Sequence, residues 1–195
     1  FKNEIFPIKV QADDGTELFE TDEGIRTPNP EKMAALPPAF KGDGVITAGN
    51  SSQITDGAAA LLITTPEKAE QLGLTPRARF VSFALAGTDP VTMLTGPIPA
   101  TKKLLERNKM KRDDIDLVEI NEAFAPVVLA WQRELEPDMD RVNVNGGAMA
   151  LGHPLGSTGA RLLTTLLHEL ERSDREVGLV TMCCGGGLGT GTLIQ

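Results

Sequence analysis

The sequence predicts an α/β fold with its chemistry at the ends of its strands. Three observations predict it. Short apolar runs alternate with segments of helical periodicity from about Thr47 onward. Between Pro154 and Glu171, Leu155, Leu162, Leu163, Leu166, Leu167 and Leu170 fall at the spacings of one helical stripe. The run Val177 to Met182 drives into Cys183 and Cys184 and then three glycines, Gly185 to Gly187. That is the pattern of a buried strand with a tight exit.

The elements follow in order. Residues 1–50 are rich in acidic and turn-forming groups: Asp13-Asp14-Gly15, Asp22-Glu23-Gly24, Pro28-Asn29-Pro30, Pro37-Pro38. A strand is expected within Phe1 to Val10, and a helical turn or two over Glu31 to Leu36, ended by the prolines. The region is otherwise loop and has no core of its own. Ala58 to Ile63 reads as a short apolar strand. Thr65-Pro66 starts a helix with a hydroxyl cap and a proline in the first turn, and Gly73 stops it. Strands are expected at Arg79–Ala86, Leu117–Ile120, Val177–Cys183 and Gly189–Ile194. Helices are expected at Ile98–Asn108, Ala123–Leu135 and Pro154–Glu171. Val142 to Ala150 is expected to be extended.

With 195 residues the chain can bury a real core, and 41% hydrophobic with 24% charged residues is an ordinary globular balance. A net charge of −8 argues against nucleic acid or an anionic membrane as the main partner. A phosphorylated ligand would need local basic residues or backbone N–H groups. The basic face of the Ile98–Asn108 segment (Lys102, Lys103, Arg107) reads most simply as a solvated surface. The two cysteines are adjacent and the two histidines, His153 and His168, are 15 residues apart, so neither a disulfide nor a zinc site is expected. No apolar run is long enough to span a bilayer. The chain opens at Phe1 without Met, which leads us to expect a fragment or processed product.

Three polar positions stand at element ends. Asn121 follows a strand; it is either a cap for the next helix or an amide that holds a water or a carbonyl. His153, between Gly152 and Pro154, precedes a helix whose dipole favours the neutral imidazole. It is either a capping residue or a hydrogen-bond donor to an oxyanion. Cys183 is either a small core thiol or a proton carrier beside the open N–H groups of the glycine run. An unperturbed thiol pKa of about 8.5 suits proton transfer near neutrality. Such a set supports acyl transfer. Periodicity leaves open whether the three meet. His168 reads as surface.

These residues resemble the thiolase family. Thr47 to Ala60 (TAGNSSQITDGAAA) is similar to its TAGN-x-S-x-x-x-DGAAA segment. Asp89 to Ala100, with Pro90, Met93 and Gly96-Pro97, is similar to DP-x-x-M-x-x-GP-x-x-A. Asn121 to Phe124 matches NEAF, Asn145-Gly146-Gly147 with Gly152-His153-Pro154-Leu155-Gly156 matches NGG…GHP-x-G, and Cys183 with Gly185-Gly186-Gly187 matches C-x-GGG. The five occur in the family's order.

The resemblance implies a βαβαβαββ core with a mixed sheet covered by helices, here as the C-terminal half of a thiolase. Residues 1–50 would be the tail of the loop domain and 51–195 the C-terminal core domain. It implies CoA-dependent cleavage of a 3-ketoacyl-CoA to acetyl-CoA and a shortened acyl-CoA, or the reverse condensation, as in fatty acid β-oxidation. Cys183 would be the acid/base. Asn121, through a water, and His153 would form an oxyanion site, His153 would help activate the nucleophile, and the Gly185 N–H would serve a second oxyanion site. The nucleophilic cysteine would lie in the N-terminal half, outside this chain, so these 195 residues alone would be inactive. Ser52, Arg26, Leu36 and Phe40 would line the CoA pocket; Met93, Ala123 and Phe124 would wall the thioester. CoA enters as co-substrate, with no permanently bound cofactor or metal, in a cytoplasmic homodimer or homotetramer. Ketoacyl synthases share the fold but keep a histidine at the last position, where this chain has Cys183. The alternative is a non-catalytic acyl-CoA or lipid-binding homologue.

Overall fold

A computed structural model describes residues 4–195. A hairpin opens it: β1 (Ile8–Ala12) pairs antiparallel with β2 (Gly15–Phe19) across the Asp13-Asp14 turn. Phe1 to Asn3, part of the expected first strand, lie outside the described residues. Helix α1 (Pro30–Ala34) is capped by the Asn29 side chain on the Lys32 N–H, and α2 (Pro66–Gln71) by Thr65 on the Lys68 N–H. In both a proline stands in the first turn, where its missing N–H costs nothing.

The main sheet begins at β3 (Phe80–Gly87) and is completed by β4 (Leu117–Ile120), β5 (Gly178–Cys184) and β6 (Leu188–Ile194). Its order is β3-β6-β5-β4; β4 and β5 run parallel, and β6 is antiparallel to both neighbours. Val142 adds a single parallel bridge beside Val118. With α3 (Pro97–Asn108), α4 (Ala125–Leu135) and α6 (Thr158–Arg172), the order is βαβαβαββ if that bridge is taken as the third strand. The sheet is mixed and covered by helices, as expected.

Alternation along the strands decides which helix each residue meets. Val118, Ile120, Leu179 and Leu193 pack with Leu104 of α3 and Trp131 of α4. Leu117, Val180 and Ile194 pack on the other face with Leu162, Leu166 and Leu170 of α6. The i, i+4, i+8 spacing of those leucines is the stripe seen in the sequence.

Four expectations need correction. Ala58–Ile63 forms no strand; Leu62 and Ile63 are 78% and 63% exposed. It pairs with no strand among the described residues, and at the free edge of β3 the Phe83 and Leu85 carbonyls accept from Arg107 and Lys103 of α3. Helix α6 starts at Thr158, not Pro154, with Pro154–Ser157 in turns before it, so Leu155 leaves the stripe and is 81% exposed. Val142–Ala150 is not extended throughout: it turns at Asn143 and enters the short helix α5 (Ala148–Leu151). The helix after β4 begins at Ala125, two residues later than expected.

Candidate active site

Because β4 and β5 are parallel, their carboxyl ends lie at one edge of the sheet. Asn121 directly follows β4, and its N–H donates to the Thr181 carbonyl of β5 at 3.0 Å. Its side chain is fully buried and caps no helix; the residue at that position is Phe124, which makes no side-chain cap. The amide Nδ2 lies 3.3 Å from Nε2 of His153. The amide nitrogen can only donate, so Nε2 accepts.

The rest of the imidazole network agrees. Thr158 Oγ1 donates its one proton to the Pro154 carbonyl at 2.9 Å and lies 2.7 Å from His153 Nδ1. With that proton committed, Thr158 accepts from Nδ1–H. His153 is therefore neutral, protonated on Nδ1, with the Nε2 lone pair toward Asn121. Burial lowers its pKa, and the charge of Arg161 lowers it further. The loop backbone is held by Gly152, at φ +93, whose missing side chain leaves room for Thr55, and by the His153 N–H bond to the Gln53 carbonyl at 3.0 Å. The sequence reads His153 as a donor to an oxyanion; in this arrangement Nε2 is a proton acceptor first, and a donor once it has taken a proton.

Cys183 is next to last in β5 and is 7% exposed. It shares the sheet face of Leu179 and Thr181, toward α3 and α4, whereas Asn121 shares the face of Leu117, toward α6. The two therefore reach the same sheet edge from neighbouring strands, but no hydrogen bond joins Cys183 to Asn121 or His153 among the described residues. Burial pushes the thiol up to about 11. That corrects the unperturbed value of about 8.5 assumed from the sequence: the group is held as a proton donor. The β5–β6 turn exposes Gly185, whose N–H has no acceptor among the described residues. Gly186 and Gly187 have φ of +79 and +82, and a Cβ on Gly187 would sit 2.7 Å from the Thr88 carbonyl oxygen. Glycine is needed there both for the turn and for the approach of the next loop.

The other singled-out residues gather in part around this edge. Ser51 bridges Phe124, and the Ser52 N–H donates to the Ala123 carbonyl at 3.1 Å. Phe40 packs edge-on against Phe124 with ring centroids 5.8 Å apart, although it is otherwise exposed. Leu36 lies against Gly49. Met93, at φ +33, is in the loop that Thr88 ties to the Gly187 carbonyl at 2.6 Å. Arg26 is exposed and makes no hydrogen bond among the described residues.

Four residues that hold the site were not found from the sequence. Gln53 joins the Gly24, Met149 and Ala150 carbonyls through its side chain. Asn143, at φ +48, uses its side-chain amide as a strand partner for both backbone groups of Ile120, at 2.8 and 2.9 Å. Glu122 accepts from Asn143 Nδ2 and from the Met149 N–H, both at 3.0 Å. Thr158 orients His153. Only the NEAF match hinted at Glu122; the others required the fold. Among the described residues, no group of three His, Cys, Asp or Glu side chains is placed to hold a metal ion, and no helix is long and apolar enough to cross a membrane.

Comparison with known proteins decides the family. The model of the thiolase C-terminal domain matches residues 74–195, and that of the thiolase N-terminal domain matches 1–67. The chain belongs to the thiolase family. It is 50% identical to an acetyl-CoA acetyltransferase of Syntrophomonas wolfei, over 100% of this chain and 50% of that protein. It is 52% identical to a steroid 3-ketoacyl-CoA thiolase of Mycobacterium tuberculosis, over 100% of this chain and 47% of that one. The crystal structure of the Bacillus anthracis acetyl-CoA acetyltransferase superposes with a TM-score of 0.91 at 46% identity, covering 98% of this chain and 49% of that one. The chain spans about half the length of the curated thiolase relatives it matches.

Proposed function

We propose that this chain supplies the acid/base half of a thiolase that cleaves a 3-ketoacyl-CoA with CoA, or runs the reverse condensation. The observation that carries the reading is the Asn121–His153 contact, made at the same sheet edge as the buried Cys183 thiol. The names of the relatives support CoA thioesters as substrates.

In this reading a cysteine thiol of the N-terminal half gives its proton to His153 Nε2 and attacks the ketone carbonyl. The C2–C3 bond breaks, and its electron pair moves to C2 as the enolate of acetyl-CoA. Cys183 donates its proton to C2. A raised thiol pKa suits this step, because the group is protonated when the carbanion forms. The incoming CoA thiol gives its proton to Cys183 and attacks the acyl-enzyme; the acyl–sulfur bond breaks, the shortened acyl-CoA leaves, and the released cysteine thiolate takes its proton back from His153. Asn121, through a water, and His153 serve the enolate oxygen. The Gly185 N–H, free at the turn, serves the acyl carbonyl oxygen. Ser52, Leu36, Phe40 and Arg26 are assigned to the CoA pocket, and Met93, Ala123 and Phe124 to the wall around the thioester.

The domain division belongs to the same proposal. In place of the boundary at 50/51 expected from the sequence, we take the one between the two family matches: residues 1–67 complete the N-terminal half, which gives the exposed Ala58–Ile63 segment a sheet to join, and residues from 74 onward form the second core domain. The test is thiolysis of acetoacetyl-, medium- and long-chain ketoacyl-CoA by a protein carrying both halves. Cys183→Ala should lower kcat by about 100-fold or more, the range for losing a positioned acid/base, while acyl-CoA still binds. Near-normal turnover in that variant would refute the assignment.

A further inference from the structure

We propose that Arg161 and Glu119 are a buried positioning pair behind His153, in which Arg161 holds a fixed positive charge beside the imidazole and Glu119 faces it across the sheet–helix interface. The proposal rests on the base role given to His153 above.

The placement follows from two periodicities. Leu117, Glu119 and Asn121 alternate on the α6 side of β4. On α6, Thr158 and Arg161 are three residues apart and so lie one turn apart on one face. The outer rung is Asn121–His153–Thr158, joined by the contacts of 3.3 and 2.7 Å. The inner rung is Glu119 and Arg161. Glu119 is 2% exposed, and its Oε2 is buried without a hydrogen-bond partner. The Nε, Nη1 and Nη2 atoms of Arg161 are all buried without one. Burying the three guanidinium nitrogens is an expensive way to fill space between a sheet and a helix. Leu162, Leu166 and Leu170 fill that interface elsewhere on α6. The charge therefore has a use: it couples to Glu119 and Glu122, and it reaches the imidazole held by Thr158 one turn away, whose protonation it disfavours.

The charges around His153 can be named from each packed element. Helix α6 gives Arg161. Strand β4 gives Glu119, which burial holds protonated up to about pH 8. The loop after β4 gives Glu122, whose carboxylate is engaged by Asn143 and the Met149 N–H. Strand β5 gives the neutral Cys183 thiol, and the Gln53 strap gives no charge. Below pH 8, Arg161 therefore acts on the imidazole with Glu119 neutral and only the Glu122 carboxylate to offset it. It disfavours imidazolium and leaves Nε2 free to accept.

The experiment uses a protein carrying both halves. The pH profile of kcat/KM for acetoacetyl-CoA thiolysis is measured for wild type, Arg161→Met, Arg161→Lys and the double variant Glu119→Gln/Arg161→Met. The double variant leaves no unpaired buried charge and protects folding. Loss of the charge should move the acid limb up by about one pH unit, the size expected of one nearby partly buried charge. Arg161→Lys should keep the limb in place. In the wild-type protein, diethylpyrocarbonate modification of His153, followed by peptide mass spectrometry, should titrate below the 6.5 of a free imidazole. A folded charge-free variant with the wild-type limb would overturn the pair. So would a His153 midpoint at or above 6.5, which decides the matter even if neither Met variant folds. Wild-type protein that shows no thiolysis would sink the functional reading alone, leaving the His153 titration to judge the pair.

Discussion

The hydroxyl of Thr158 is the point at which one atom group decides the chemistry of His153. Its Oγ1 is fully buried, accepts from Nδ1–H at 2.7 Å and donates to the Pro154 carbonyl at 2.9 Å. Replacing it by valine keeps the volume and removes both bonds. The Pro154 carbonyl loses little, since the Thr158 and Ser157 N–H groups still donate to it at 3.0 Å. The Nδ1–H loses its acceptor in a buried place, which costs about 1–3 kcal/mol. Nothing then favours protonation on Nδ1 over Nε2, and a proton on Nε2 meets the Asn121 NH2 donor. The same 1–3 kcal/mol, felt in the transition state, lowers kcat about 5- to 150-fold. The assay is thiolysis by a protein carrying both halves, with melting followed alongside. Thr158→Val should lower kcat within that range, with KM little changed and Tm reduced by several degrees; Thr158→Ser should restore most of the rate. A Thr158→Val protein within twofold of wild-type kcat would refute the tautomer assignment, as would a Ser variant as impaired as the Val variant.

Two pH dependences follow from burial. Raising the Cys183 pKa from 9.0 to about 11 lowers its thiolate fraction near pH 7.5 by about 100-fold, so iodoacetamide should label it at least that much more slowly than a free cysteine, with a rate still climbing at pH 10. Peptide mass spectrometry separates it from Cys184, and rapid labelling at neutral pH would contradict the buried, protonated thiol. Glu119 is raised from 4.5 to about 8, so the folded state holds its proton more tightly than the unfolded chain does. Its contribution to stability is fully present below about pH 4.5 and is lost as pH rises toward 8. Glu119→Gln should remove that part of the decline, making the Tm difference between variant and wild type change steadily from pH 5 to 8.5; parallel melting curves would rule it out.

The sheet and its helices were legible because their signals are local. Thr65-Pro66 caps a helix wherever it occurs, and the leucines of α6 repeat at one turn whatever lies opposite. The site was legible only as a set of separated residues. Asn121 could be read as a cap until the fold put His153 against its amide. The proton on Nδ1 could not be read at all, because it depends on Thr158, which the sequence offers only as one more helix residue. Asn143 was hidden for the same reason: a side chain that pairs with both backbone groups of Ile120 leaves no periodic trace. The start of α6 was misplaced because proline after histidine looks like a first turn, yet Pro154 belongs to the tight loop that carries His153.

Ala58–Ile63 shows the opposite case, a local signal that was read well and still gave no strand. Its residues suit a strand, but a strand exists only with a hydrogen-bonded neighbour. At the accessible edge of β3, Arg107 and Lys103 occupy the Phe83 and Leu85 carbonyls that a further strand would need. Those two cations were read from sequence as a solvated face, and they also keep the second sheet from capturing a segment that does not belong to it. With that edge closed, the segment stays exposed and unpaired. In the proposed division it is held for the other half, while the next residues lead on through α2 to β3. A short stretch of chain thus ties the two halves together just upstream of the strand whose far end faces the Cys183 turn.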